Sequence, residues 1–145
     1  MHLGQSDYQI LCLGEFHRET TRQFLADEFF AHVRSDVLLL EATPRELKHL
    51  NTMVKAGRTY FSLLDADIMQ ILRTVRGRNP DIEIYGIEET DSQRKNRRFY
   101  VGARDKSIAG NFWERFDPGK RHVILIGAFH CTNQPNWLFD NLCGQ

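Results

Sequence analysis

At 145 residues, with 41% hydrophobic and 26% charged side chains, the chain has the size of one domain, residues 1–145, able to bury roughly two thirds of its unfolded surface. Nineteen basic residues balance nineteen acidic ones, so zero net charge gives no whole-chain attraction to nucleic acid or an anionic membrane. No apolar stretch approaches the roughly 18 residues of a spanning helix, and Met1-His2-Leu3-Gly4-Gln5 does not begin a secretory signal. The three cysteines cannot all pair, and Cys12 falls in a predicted core strand, which favours reduced thiols and a cytoplasmic setting.

The first apolar run, Ile10-Leu11-Cys12-Leu13, leads into Gly14-Glu15-Phe16-His17. From Thr20 to about Val33, Phe24, Leu25, Phe29 and Val33 recur at helical spacing. Val37-Leu38-Leu39-Leu40 stops on Glu41, and Thr43-Pro44-Arg45-Glu46 then offers an N-cap threonine, a proline at the first position and a glutamate reaching back. That helix is expected to end at Gly57. Ser62-Leu63-Leu64-Asp65 opens the next, with Leu64, Ile68, Ile71, Leu72 and Val75 as its buried face and Gly77 and Pro80 as its close. Ile82 to Ile87 runs into Glu88-Glu89. Asp91 to Gly102 lacks periodicity and reads as a mobile loop over the same edge. Arg104 to Phe116 carries Ile108, Ala109, Phe112, Trp113 and Phe116 on one stripe. Val123-Ile124-Leu125-Ile126 enters Gly127-Ala128-Phe129-His130, and a short helix from about Asn136 to Leu142 closes the chain.

Short apolar runs without alternation are the mark of parallel strands covered on both faces. The order β-α-β-α-α-β-α-β-α therefore implies an α/β domain, a mainly parallel sheet flanked by helices with right-handed crossovers. In open α/β sheets ligands bind beyond the carboxyl ends of the strands. Two histidines and several carboxylates are expected at that edge.

The repeated Gly-X-Phe-His is the strongest signal. His17 and His130 can each exchange a proton near neutral pH or ligate a metal as the neutral ring. Glu15 can orient His17 or accept a second proton, and Glu41 joins them from the end of its own strand. Glu88 is preferred over Glu89 as the carboxylate facing the site, the other being assigned to solvent. Arg104 can bind an anionic substrate group or a developing oxyanion, or form an ion pair with Asp105 or Glu88. The basic run from Arg94 to Arg98 supplies Arg98, beside Glu88, as a substrate-binding candidate. In a neutral chain such a run more often faces solvent than nucleic acid. Cys131 is read as a small buried residue. P-loop, Gly-X-Gly-X-X-Gly, His-Glu-X-X-His, paired Cys-X-X-Cys and Gly-X-Ser-X-Gly patterns are all absent.

Taken together, Gly14-Glu15-Phe16-His17, Leu40-Glu41, the stretch from Arg104 to Asn111 and Gly127-Ala128-Phe129-His130 resemble the erythromycin esterase, ChaN-like and Tiki/TraB superfamily. The resemblance spans Ile10 to about Trp137. It implies an α/β core with a site of His17, Glu41, Arg104 and His130, and Glu15 beside them. Members include esterases with a histidine general base, metal-dependent peptidases, haem binders and domains of large bacterial toxins. The long insertions that shape the esterases' pockets are missing here, which argues against a macrolide-type substrate.

The expected function is a hydrolase that activates water to cleave an ester, amide or related bond in a small molecule or peptide. His17, with Glu15 or Glu41, takes the proton, directly or through a divalent metal such as Zn²⁺, Mn²⁺ or Co²⁺ held by His17, Glu41 and His130. Arg104 stabilises the oxyanion, and His130 orients the water, binds the metal or protonates the leaving group. The alternative is a non-catalytic domain of the same fold that binds haem or a metal, or serves as a toxin or effector interaction module.

Overall fold

The computed structural model describes residues 8–56, 63–100 and 102–143. The expected helix end at Gly57, the opening at Ser62 and the five residues read for a signal lie outside them. Four strands, β1 (Ile10–Glu15), β2 (Val37–Leu40), β3 (Glu83–Gly86) and β4 (His122–Gly127), form one sheet in the order β1-β4-β2-β3. Every pairing is parallel, with Glu15 opposite Gly127 and Leu40 opposite Leu125. All four strands thus finish at one edge, which is where the chemistry-bearing residues follow them.

Side chains alternate between two covered faces, as parallel sheets require. Leu38, Leu40, Val123 and Leu125 face one core with Leu25, Phe29, Phe30, Ile71, Leu72 and Val75. Leu25 and Phe29 come from a π-helical turn (Leu25–Phe29) that continues α1 (Glu19–Phe24), Phe30 from α2 (Phe30–His32), and the last three from α4 (Leu63–Arg78). Val37, Leu39, Ile124 and Ile126 face the other core with Ile108, Phe112 and Leu138. That layer is α6 (Ala103–Trp113) and α7 (Leu138–Cys143). The start of α3 (Pro44–Lys55) is capped as its sequence suggests: the Glu46 N–H donates to Thr43 Oγ1 at 3.2 Å, and the Thr43 N–H donates to Glu46 Oε2 at 2.7 Å.

The first half of the segment expected to be a mobile loop is instead helical, while residues 97–100 follow it without regular structure. Thr90 caps α5 (Asp91–Asn96) by a reciprocal exchange with Gln93, so Arg94 and Lys95 lie in an ordered turn. Its six residues are too few for a readable period.

The cysteines are the second correction. Cys12 and Cys131 are joined in a disulfide with Cα atoms 5.8 Å apart, and Cys143 is free. The cause is topological. β4 lies against β1, and the 3₁₀ turn after it (Ala128–Cys131) folds back over β1. The approach is so close that a Cβ on Gly14 would sit 2.7 Å from the Ala128 Cα. Among the described residues no helix is long and apolar enough to cross a membrane.

Candidate functional site

β1 delivers Glu15, almost fully buried, to the carboxyl edge of the sheet. His17 follows in a left-handed conformation, φ 53°, which a residue with a Cβ adopts only when its surroundings hold it there. Glu15 supplies that hold. Its Oε2 accepts the His17 backbone N–H at 2.6 Å, and its Oε1 lies 2.7 Å from His17 Nδ1. Buried Arg22, from α1, donates to the same Oε1 through Nε at 3.1 Å and Nη2 at 2.8 Å. The Nη2 also stands 3.0 Å from His17 Nδ1. An ionised carboxylate only accepts and a guanidinium only donates, so Nδ1 donates to Glu15 when it carries the proton and accepts from Arg22 when it does not. In the first tautomer Nε2 keeps its lone pair, turned toward Glu41 Oε2 at 3.7 Å.

Glu41, directly after β2, accepts the Gly127 N–H at 2.6 Å and Arg104 Nη2 at 2.6 Å. Burial alone raises its pKa. The Arg104 and Gly127 hydrogen bonds and the charge of Arg104 outweigh burial and hold the carboxyl below its ordinary value. Arg104, in the first turn of α6, also donates through Nε to Glu88 Oε1 at 3.0 Å, through Nη2 to Glu88 Oε2, and through Nη1 to His130 Nε2 at 3.1 Å. The bonds to Glu88 first, and to Glu41 after the opposing effect of burial, raise its pKa. Four of its five N–H groups are thereby used, leaving one Nη1 hydrogen for a further acceptor.

His130 sits on the 3₁₀ turn after β4 and is buried. Its Nδ1 donates to Asp105 Oδ2 at 2.9 Å, and the same oxygen accepts the Leu138 N–H at 2.7 Å. The Trp137 ring packs against it edge-on at 5.7 Å. Because Arg104 donates to Nε2, this ring is neutral with its proton on Nδ1. Each histidine therefore has Nδ1 held by a buried carboxylate and Nε2 turned to Glu41, at 3.7 Å for His17 and 3.8 Å for His130.

The histidines and Glu41 converge on Gly127. A Cβ there would meet His17 Nε2 at 3.1 Å, Glu41 Oε2 at 3.3 Å and His130 Cδ2 at 3.5 Å. The absent side chain is what allows them to meet.

Glu15, His17, Glu41, Arg104, His130 and Glu88 are thus brought together, with Arg104 paired to Glu88 and Glu41 and not to Asp105. Arg98 is exposed and lines neither cavity that opens beside His17; Arg94 lines the larger one. Glu89 does not face solvent. It is 1% exposed and binds Arg97 Nε at 2.7 Å and the Ser107 hydroxyl at 3.1 Å. Asp105 and Arg22 are the site residues the sequence did not single out. An aspartate in a first helical turn reads as a response to the helix dipole, and an arginine on a polar helix position reads as solvated.

The expected metal does not fit this arrangement. Arg104 occupies the His130 Nε2 lone pair and one Glu41 oxygen, the two positions a cation would need. Among the described residues no group of three His, Cys, Asp or Glu side chains is placed to hold a metal ion.

No protein-family model matches the chain, and no curated protein does. Its fold is shared with solved structures. One, described as bacterial protein toxins, aligns with a TM-score of 0.59 at 14% identity over 96% of this chain. Another, RRSP, a MARTX toxin effector domain from Vibrio vulnificus, aligns with a TM-score of 0.53 at 16% identity over 88% of it. This chain spans 33% and 29% of those two structures. Identities this low establish a common fold; the site has to be argued from its own residues.

Proposed function

We propose that this chain is an effector-type hydrolase domain that activates water at the sheet edge to cleave an amide or ester bond in a peptide or small-molecule substrate. The observation that carries the reading is the pair of histidines, each anchored at Nδ1 by a buried carboxylate with Nε2 aimed at Glu41. His17 is the base. Its side chain is 48% exposed and its Nε2 donates to no neighbour, whereas His130 Nε2 is engaged by Arg104. A water beside His17 gives its proton to Nε2, and Glu15 and Glu41 stabilise the imidazolium. The hydroxide adds to the carbonyl carbon, and the remaining Arg104 Nη1 hydrogen binds the oxyanion. As the C–N or C–O bond breaks, the His17 imidazolium returns its proton to the leaving nitrogen or oxygen. His130, neutral and fixed by Asp105, positions Arg104.

The resemblance to the erythromycin esterase, ChaN-like and Tiki/TraB superfamily supports the same assignment. The fold held in common with toxin domains favours a second reading more, a non-catalytic effector module. The test is digestion of a proteome-derived peptide mixture with new amino termini labelled, alongside nitrophenyl ester turnover, for the wild type, His17→Ala and Glu41→Gln. The hydrolase reading expects products that fall at least a hundredfold in both variants. Products absent from the wild type, with growth arrest on expression that persists in His17→Ala, overturn it in favour of the interaction module.

A further inference from the structure

Six large apolar side chains are exposed among the described residues, and two of them are the phenylalanines preceding the two histidines. Exposed apolar residues scattered singly need no explanation. Phe16 and Phe129 are not scattered. They are 65% and 66% exposed, 113 positions apart in sequence, and line one cavity of about 480 Å³. Trp137 forms its wall, 6.2 Å from the Phe129 ring and 5.7 Å from His130. The charged groups lining this cavity (Glu15, His17, Glu41, Arg104, Asp105 and His130) are paired within the site, with His17 Nε2 and one Arg104 Nη1 hydrogen left to face the reacting bond. The rest of the lining that a ligand would meet is apolar: Phe16, Ala128, Phe129 and Trp137.

The local backbone explains the placement. Glu15 binds both the backbone and the ring of His17 in its left-handed turn, leaving Phe16 on the outside of that turn. The 3₁₀ turn buries His130 while the preceding ring stays in solvent. A second cavity, about 810 Å³, shares Glu15, His17 and Glu41 with the first but is lined beyond them by both polar residues (Thr43, Arg45, His49 and Arg94 among them) and apolar ones, Leu40, Ala42, Ile68 and Leu125. The reacting groups therefore sit where an apolar cavity meets a larger mixed one.

We infer that Phe16, Phe129 and Trp137 form a specificity pocket for a large apolar side chain next to the bond acted on, and that the substrate is a polypeptide segment whose chain continues across the larger, mixed cavity. This rests on the hydrolase reading for its catalytic part and on the cavity alone for its binding part. Pockets of this volume, walled by aromatic rings with a few polar groups at one end, suit such an occupant. Loss of the rings should cost specificity of the order that one or two missing apolar groups cost other enzymes, about tenfold or more in kcat/KM.

Two arms test it. In the first, the proteome-derived peptide mixture is digested by the wild type and by the Phe16→Ser/Phe129→Ser double variant. Cleavage sites should be enriched in Phe, Tyr, Trp, Leu or Met at one position flanking the cut. The double variant should cut those peptides at least tenfold more slowly and lose the enrichment. In the second, Trp113→Phe leaves Trp137 as the one indole of this two-tryptophan chain, and its NMR signal is followed against N-acetyl-phenylalaninamide and N-acetyl-glycinamide. The phenylalanine probe alone should shift it, in the Glu41→Gln background as well, and the shift should vanish with both rings removed. Probe binding without peptide cleavage supports the pocket and counts against the hydrolase reading only. Cleavage with no side-chain preference, or probe binding unchanged by the double substitution, overturns the inference.

Discussion

Asp105 gives the sharpest quantitative test of how the site is held. Its Oδ2 accepts from two buried donors, His130 Nδ1 at 2.9 Å and the Leu138 N–H at 2.7 Å, and the residue is 4% exposed. Asp105→Ala removes the only acceptor shown for either donor. A buried donor left unpaired costs about 1–3 kcal/mol, so the two together cost roughly 2–6 kcal/mol. Asp105→Asn behaves differently, because one oxygen makes both bonds. The amide oxygen takes that place, both donors stay paired and His130 keeps its proton on Nδ1. Only the charge assistance is lost, about 1 kcal/mol. At about 3 °C per kcal/mol for a chain of this size, Asn should lower the melting temperature by about 3 °C and Ala by about 6–18 °C. Calorimetry gives the melting points, and ¹⁵N NMR of the imidazoles gives the tautomer. The Nδ1–H form of His130 should persist in Asn, where the Asp105 position and Arg104 both hold it. Equal melting points for the two variants, or an inverted tautomer in Asp105→Asn, would refute the single-oxygen account.

Three further outcomes follow from the geometry. Gly127→Ala places a methyl 3.1 Å from His17 Nε2 and 3.3 Å from Glu41 Oε2. The backbone there, φ −53° and ψ 139°, is open to alanine, so turnover should fall about ten- to a hundredfold with melting nearly unchanged. Glu41 takes up a proton at lower pH when folded than when unfolded. Its contribution to stability is therefore complete above its ordinary value of 4.5 and is lost as pH falls through the folded value. Urea midpoints of the wild type should drop more steeply than those of Glu41→Gln between about pH 5 and pH 3, the two curves converging at the acid end. Cys12→Ser/Cys131→Ser opens a link between residues 119 apart and should cost about 3–5 kcal/mol, read as a lower urea midpoint that dithiothreitol reproduces in the wild type.

What the sequence disclosed follows from period and position. Apolar runs of four to six residues without alternation identify strands covered on both faces. The parallel rule then places whatever follows each run at a common edge. His17, Glu41, Glu88 and His130 are all residues that follow a strand, and Arg104 opens a helix that returns to the same edge. Short, charged or long-range features are less legible. α5 has six residues, too few to show a stripe, and its capping pair Thr90 and Gln93 belongs to a pattern common outside helices. The disulfide depends on β4 inserting between β1 and β2, a strand order that no local spacing encodes.

The same distinction explains why the histidines were visible and their carboxylates only half so. Glu15 lies two residues before His17, close enough in sequence for a turn to close on it, and the left-handed φ of His17 is the form that closure takes. Asp105 reaches His130 across 25 residues, from the first turn of a different element. At that helix terminus a carboxylate already has a sufficient local reason to be present. Its neighbour Arg104 runs against that dipole. One guanidinium joins Glu41, Glu88 and His130, compensating two carboxylates whose mutual repulsion at this edge would otherwise drive one of them to protonate. That guanidinium engages His130 Nε2 and leaves His17 Nε2, 3.7 Å from Glu41, open to a water, which is why the proposed reading gives the proton transfer to His17.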